Sequence, residues 1–65
     1  MPLEDGLRAF DLANESQRVL LAPVLADKTQ RYFDAGRLDP ETTRRYVRLV
    51  GPYLSRALAG EGRQP

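Results

Sequence analysis

The segment between residues 34 and 41 constrains the fold of this chain more than any other. It reads DAGRLDPE, a glycine stop followed closely by a strong helix start. Gly36 can take the left-handed conformation that ends many helices. Asp39 can cap the next helix, and Pro40 suits the first helical position, where its missing N–H would have no partner anyway. The segment therefore predicts a short connection inside an antiparallel helical hairpin.

A helical stretch is predicted before this turn, from about Glu15 to Ala35. Asn14 and Gln17 have the spacing of a capping box, in which each side chain bonds to the backbone N–H of the other. The alternative is that the first helix continues through Asn14. Pro23 interrupts the stretch, because a proline inside a helix removes one hydrogen bond. Either one kinked helix or two helices that meet at Pro23 would fit. We favour the kink, because the apolar stripe keeps its phase across the proline. The residues assigned to that stripe are Leu20, Leu21, Val24, Leu25 and Tyr32.

A third helix is predicted from Pro40 to about Ala59, with Gly60 as its cap. Its apolar residues recur at the helical period of about 100° per residue, and their stripe continues through Pro52. One bent helix is therefore predicted. The residues of this stripe are Thr43, Tyr46, Val47, Val50, Tyr53, Leu54, Ala57 and Leu58.

Together with a short first helix from Leu3 or Gly6 to Ala13, these segments predict an all-α fold, because no alternating strand pattern is present. We expect a small three-helix domain over residues 1–60, with the first helix laid across the antiparallel helical hairpin. The long helices should be kinked at Pro23 and Pro52, and residues 61–65 should form a flexible C-terminal tail. The aromatic residues predicted to lie in the core are Phe10, Tyr32, Tyr46 and Tyr53.

The composition argues against an enzyme. The 65 residues include no Cys and no His, which excludes disulfides, thiolate zinc sites and imidazole ligands. The Ser and Thr hydroxyls have no evident general base beside them, and three short helices leave little room for a cleft that separates two carboxylate pKa values. We therefore expect no catalytic, metal-binding or cofactor-binding residues.

The location expected from the sequence is the cytoplasm. Residues 1–6 are acidic and contain no apolar run, so they do not have the pattern of a signal peptide. No stretch approaches the roughly 20 apolar residues that a membrane-spanning helix needs. We expect no membrane partner.

Association with a protein partner is the expected function. A chain this short hides only about 60% of its unfolded surface on folding, and this one has no disulfide or metal to stabilise it. Val19, Phe33 and Leu49 lie off the apolar stripes and are the predicted partner-binding residues. Residues 1–27 carry a net charge of −3 and residues 28–65 a net charge of +4, which favours head-to-tail or antiparallel pairing. We expect a self-assembling or adaptor subunit, either a homo-oligomer or a component of a complex.

Nucleic-acid binding is the alternative function. Four arginines lie opposite the apolar stripe of the third helix and could contact phosphates. The other interpretation is that these arginines form a solvent-exposed helix face whose positive charge is partly neutralised by Glu41. The candidate nucleic-acid-binding residues are Arg44, Arg45, Arg48 and Arg56.

Residues 38–54, LDPETTRRYVRLVGPYL, resemble a helix from the core-binding domain of tyrosine recombinases. In that family a Leu-(Ser/Asp)-Pro-x-Thr start leads into a Tyr, an apolar residue and an aromatic residue at helical spacing. Here Tyr46, Val50 and Tyr53 follow such a start. The resemblance implies a helix that helps to clamp DNA, and it carries no catalytic residue. The alternative is therefore a small DNA-binding regulator.

Overall fold

The computed structural model describes residues 2–60, which form three α-helices and no strand. Helix α1 spans Leu3–Leu12, α2 spans Glu15–Asp34 and α3 spans Pro40–Leu58. The predicted all-α fold with a helical hairpin is confirmed. Residues 61–65, predicted to be a flexible tail, lie outside the described residues.

Helix α1 lies along the hairpin and runs antiparallel to α2. The backbone N–H of Leu3 donates to the hydroxyl of Tyr32 near the end of α2, at 3.1 Å. Phe10 lies beside Arg18 at the start of α2 and beside Tyr53 towards the end of α3. Helix α1 is therefore parallel to α3, and the three helices form an up-down-up bundle.

The caps predicted for both long helices are present. Asn14 Oδ1 accepts a hydrogen bond from the Gln17 N–H at 2.9 Å, and Gln17 Oε1 accepts one from the Asn14 N–H at 3.1 Å. The Asp39 carboxylate accepts hydrogen bonds from both the backbone N–H and the hydroxyl of Thr42, at 3.1 and 2.6 Å. Gly36 is in the left-handed region with φ of 69°, as predicted.

Both internal prolines lie inside continuous helices. Helix α2 passes through Pro23 and α3 passes through Pro52. Helix α2 is thus one helix and not two that meet at the proline, while a kink at either proline stays a prediction. Gly60, with φ of 93°, follows the end of α3 as predicted.

The core lies where the three helices meet, and the shortest helix supplies half of it. Gly6 allows α1 to approach α2 closely, because a Cβ at this position would lie 2.8 Å from Leu25 Cδ2. Tyr32, Tyr46 and Tyr53 are half-buried and pack against the core, which confirms their predicted place. The buried members of the core cluster are Leu3, Leu7, Phe10, Ala22, Leu25 and Val50.

The buried face of α2 differs from the predicted one. Leu20 and Val24, assigned to the inner stripe, are more than half exposed. Val19 is only 4% exposed, so the prediction that it faces away from the core is wrong. Large apolar residues lie nearly all round α2, and their pattern alone therefore did not identify the inner face. The residues of α2 that are buried are Val19, Ala22, Leu25 and Thr29.

The inner face of α3 is likewise rotated from the predicted one. Leu49, predicted to lie off the core, is half-buried and packs against it. That prediction is wrong because α1 packs on the side of α3 that carries Leu49. Val47 and Leu58, assigned to the inner stripe, are 59% and 80% exposed. Helices α1 and α2 together cover a narrower sector of α3 than its apolar stripe occupies, so part of the stripe is exposed.

Replacing Asp39 with Ala should lower the melting temperature by about 4–8 °C, because a helix loses its cap. Thermal unfolding followed by circular dichroism measures the change. Asp39→Asn is the matched control, since asparagine also accepts the Thr42 N–H, and it should keep most of the stability at neutral pH.

Hydrogen bonds from the hydroxyl and then the backbone of Thr42 hold the pKa of Asp39 below its ordinary value. Because the folded pKa lies below the unfolded one, the ionised group stabilises the fold fully above the unfolded pKa. That contribution disappears as the pH falls through the folded pKa. The stability difference between the native chain and Asp39→Asn should therefore shrink below about pH 4. A difference that stays constant down to pH 2 would contradict this assignment.

Candidate functional site

Helix α1 covers one side of α2 and leaves the opposite side open. Residues Leu25 and Tyr32 of α2 contact α1. Ala22, which is fully buried, lies between the two sides. An α-helix has 3.6 residues per turn. Relative to any residue, the residue three positions later is therefore rotated by about 60° in one direction around the helix axis, and the residue four positions later by about 40° in the other direction. Ala26 therefore lies on the side away from α1, and Phe33, seven residues further on, lies on that same side.

The open side of α3 follows from the same helical geometry. Val50 is fully buried. Tyr53, three residues later, points towards α1, where its ring contacts Phe10 edge-to-face with centroids 5.4 Å apart. Leu54, four residues after Val50, and Val47, three residues before it, therefore lie on the side away from α1.

These two sides form one continuous surface, which we call the open face. Its positions follow one another every three or four residues along each helix, the spacing of seams that pack against further helices. None of them is charged. Phe33, Val47 and Leu58 are 66%, 59% and 80% exposed, whereas Val19 and Val50 form the buried floor. The open face consists of Val19, Pro23, Ala26, Gln30 and Phe33 on α2 and Thr43, Val47, Val50, Leu54 and Leu58 on α3.

The structure separates the three residues predicted to bind a partner. Phe33 lies on the open face and is exposed, Val19 lies beneath that face, and Leu49 lies on the opposite side beside α1. Val47 and Leu58 belong to the predicted inner stripe but are surface residues. The signal for them was the width of the α3 stripe, which exceeds the apolar stripe of about 100° that a surface helix needs.

A second surface carries the arginines of α3. Arg44, Arg45 and Arg48 are exposed, and α1 brings Arg8 beside the last two. Among residues 2–60, none of these four side chains forms an ion pair. We call them the arginine surface. A groove of about 390 Å³ between α1 and α3 is lined by Leu7, Arg8, Asp11, Arg45, Arg48 and Leu49.

Arg56 does not join the arginine surface, although the sequence grouped it there. Its Nη1 donates to Glu15 Oε2 at 3.0 Å, and its guanidinium lies 5.4 Å from the centre of the Tyr53 ring. Arg56 is eight residues after Arg48, which rotates it about 80° towards Tyr53. Hydrogen bonds from Tyr53 and then Arg56 hold the pKa of Glu15 below its ordinary value.

Arg18 is the centre of a cluster that joins all three helices. Its Nε donates to the carbonyl of Phe10 at 3.0 Å, and its Nη2 donates to the carbonyl of Asp11 at 2.6 Å. Its Nη1 donates to the hydroxyl of Tyr53 at 3.1 Å. The guanidinium also lies 5.7 and 5.5 Å from the ring centres of Phe10 and Tyr53. Sequence analysis did not find this cluster, because its members come from three different helices.

Residues 2–60 contain neither a cluster of metal-ligating side chains nor a membrane-spanning helix. No group of three or more Asp and Glu side chains is placed to hold a metal ion. None of the three helices combines the length and the apolar character needed to cross a membrane. No protein-family model, no curated protein and no solved structure matches this chain.

Replacing Arg18 with Ala should destabilise the fold by about 1–2 kcal/mol, because three hydrogen bonds and two ring contacts are lost. Arg18→Lys keeps the positive charge but not the planar set of N–H donors, so its stability should lie between those of the native chain and Arg18→Ala. Urea unfolding measures the free energy of unfolding of the native chain and both variants. Equal stability of the native chain and Arg18→Ala would show that the cluster contributes nothing.

Proposed function

We propose that this chain is a non-enzymatic helical protein–protein interaction module that acts through the open face of α2 and α3. The observation that carries the proposal is the exposure of Phe33, Val47 and Leu58 on a surface without charged positions. Large apolar patches on small soluble domains commonly mark interaction sites. The proposal includes the cytoplasmic location expected from the sequence.

The partner should present a helix or a helical hairpin. The seams on α2 and α3 have the residue spacing that accepts side chains of a further helix between them. Full burial of an apolar side chain contributes about 1.5–3 kcal/mol, and three large side chains on the open face are largely exposed. Contact with a partner helix would bury them and compensate for the small core of so short a chain.

The polar groups support a non-enzymatic role. The carboxylate of Asp39 caps α3, and the carboxylate of Glu15 bonds to Tyr53 and Arg56 at the end of the bundle. Both acids therefore act in stabilising helices. No His or Cys is present to act as a general base or a nucleophile.

Site-specific photo-crosslinking in the cells that produce the protein tests the open face. A photoreactive amino acid in place of Phe33 should yield an adduct of one discrete mass, because this position would touch the partner. The same amino acid in place of Leu20, which is exposed on the outer side of α2, is the matched control and should yield none.

A second substitution separates binding from folding. Val47→Asp should remove the adduct at position 33 while circular dichroism shows unchanged helix content, since Val47 is exposed in the isolated chain. Val24→Asp, on the outer side of α2, should leave the adduct in place. Equal adducts from positions 33 and 20, or none from either, would overturn the proposed function.

Binding to a nucleic-acid backbone is the second candidate function. The observation that favours it is the position of Arg8, which the fold brings beside Arg45 and Arg48. The local positive charge therefore exceeds what α3 alone provides. Asp11 lines the same groove, and Glu41 lies beside the α3 arginines, so the surface is mixed in sign.

Fluorescence anisotropy with a labelled DNA duplex tests this candidate. With about three to five phosphate contacts, log affinity should fall against log salt with a slope of roughly −3 to −4. The combined change of Arg44, Arg45 and Arg48 to Ala, or Arg8→Ala alone, should weaken binding. Arg31→Ala on the outer side of α2 is the control. Absence of binding at low salt would retire the candidate.

A further inference from the structure

We infer that the open face binds the open face of a second copy of this chain, so that α2 and α3 of both copies form a four-helix bundle with α1 of each copy on the outside. The inference rests on the proposed function and names its partner. Three features of the open face support it: the charge at its edges, the positions of its polar residues along the helix axes, and its size.

The open face can meet itself without electrostatic cost. In a two-fold dimer the same surface of both copies is buried, so any charge on it would lie near its own equivalent. The ten positions of the open face include no charged residue. Like charges therefore do not meet inside such an interface.

The edges of the open face have opposite charge. Asp27 and Asp34 lie along the outer edge of α2, where Asp27 pairs with Arg31 at 3.1 Å. Arg44 and Arg48 lie along the outer edge of α3 and form no ion pair among residues 2–60. A two-fold axis parallel to the helices would place α2 of one copy over α3 of the other. The acidic edge of each copy then lies beside the basic edge of its partner.

The polar residues of the open face match in this arrangement. An axis parallel to the helices keeps every residue at its own level along the bundle. The contacts of Glu15 with Arg56 and of Arg18 with Tyr53 define which levels of α2 and α3 coincide. By the same count, Thr43 lies two residues, or about 3 Å along the helix axis, from the level of Gln30. Gln30 Nε2 donates one proton to Asp34, and the Thr43 hydroxyl donates to the carbonyl of Asp39. The second amide proton of Gln30 in one copy would thus face the Thr43 oxygen of the other, which can accept it.

Two pairs of apolar residues also lie at similar levels in this arrangement. Ala26 lies near the level of Val47, and Val19 lies near the level of Leu54. The small side chain of Ala26 leaves space into which the exposed Val47 of the other copy fits. Alternation of large and small residues across facing helices is what close helix packing requires.

The size of the open face suits a dimer of moderate affinity. Helices α2 and α3 have 20 and 19 residues, so each is about 30 Å long. Two neighbouring helices with axes about 10 Å apart present a face about 20 Å wide. The interface would bury about 600 Å² on each copy, at the lower end of specific interfaces. We therefore expect dissociation on the order of micromolar concentration.

Analytical ultracentrifugation of the purified full chain tests the inference. The mass should rise from 7.3 kDa towards twice that value as the concentration passes from about 1 μM to about 200 μM. Val47→Asp should raise the dimer dissociation constant at least about tenfold, because the symmetry introduces two charges into the apolar interface. Val24→Asp, on the outer side of α2, is the control and should leave the constant unchanged.

A charge exchange tests the orientation of the two copies. Arg44→Glu should weaken the dimer, because it places like charges on facing edges. The added change Asp27→Arg, which lies at the level of Arg44 by the same count, should restore the affinity, which a purely structural effect of either substitution would not do. If the double variant is weaker than Arg44→Glu alone, the parallel two-fold axis is wrong.

The outcomes distinguish the inference from the proposed function. A chain that stays monomeric at about 200 μM, but whose position 33 crosslinks in cells to a protein of another mass, overturns self-association and leaves the interaction module standing. A monomer without any adduct at position 33 overturns both. A dimer that Val47→Asp does not weaken uses another face, and this too overturns the inference.

Discussion

The guanidinium of Arg18 holds the bundle together at the end where α1 stops, and the rest of the structure depends on that attachment. It binds two carbonyls at the C-terminal end of α1 and the hydroxyl of Tyr53 on α3, and it stacks on two rings. One side chain of α2 thereby satisfies acceptors that the end of a helix leaves open. Because α1 has only ten residues, its place on the hairpin depends on such contacts as well as on its apolar face.

The place of α1 decides which surfaces the molecule presents. By covering one side of the hairpin, α1 buries Leu25 and brings Arg8 beside the arginines of α3. Because α1 packs on this side, the opposite side of α2 and α3 is open, with Phe33 and Val47 exposed. The charged surface and the apolar surface therefore both result from the position of α1. The two surfaces adjoin at the outer edge of α3, where Arg44 and Arg48 border the open face, whereas Arg8 lies on the side of α1.

The open face also fits the thermodynamics of a small chain. Three helices with a core of six buried residues leave less apolar surface hidden than a larger domain would. The chain has no Cys and so forms no disulfide, and association is one of the further ways in which small domains are stabilised. Burial of the open face against a second copy would extend the core across two chains, so that the interaction and the stability have the same physical origin.

What the sequence determined by itself was local: the helices, their caps and the turn between them. Asn14, Gly36 and Asp39 act through bonds to residues three or four positions away, and such contacts are visible in the order of the residues. Which face of each helix is buried was decided only by the tertiary structure. Val19 lies inside and Leu20 outside, although both belong to a helix that is apolar nearly all round. The contacts of Arg18 span as many as 35 residues, and no local pattern reports contacts that arise only when three helices have packed.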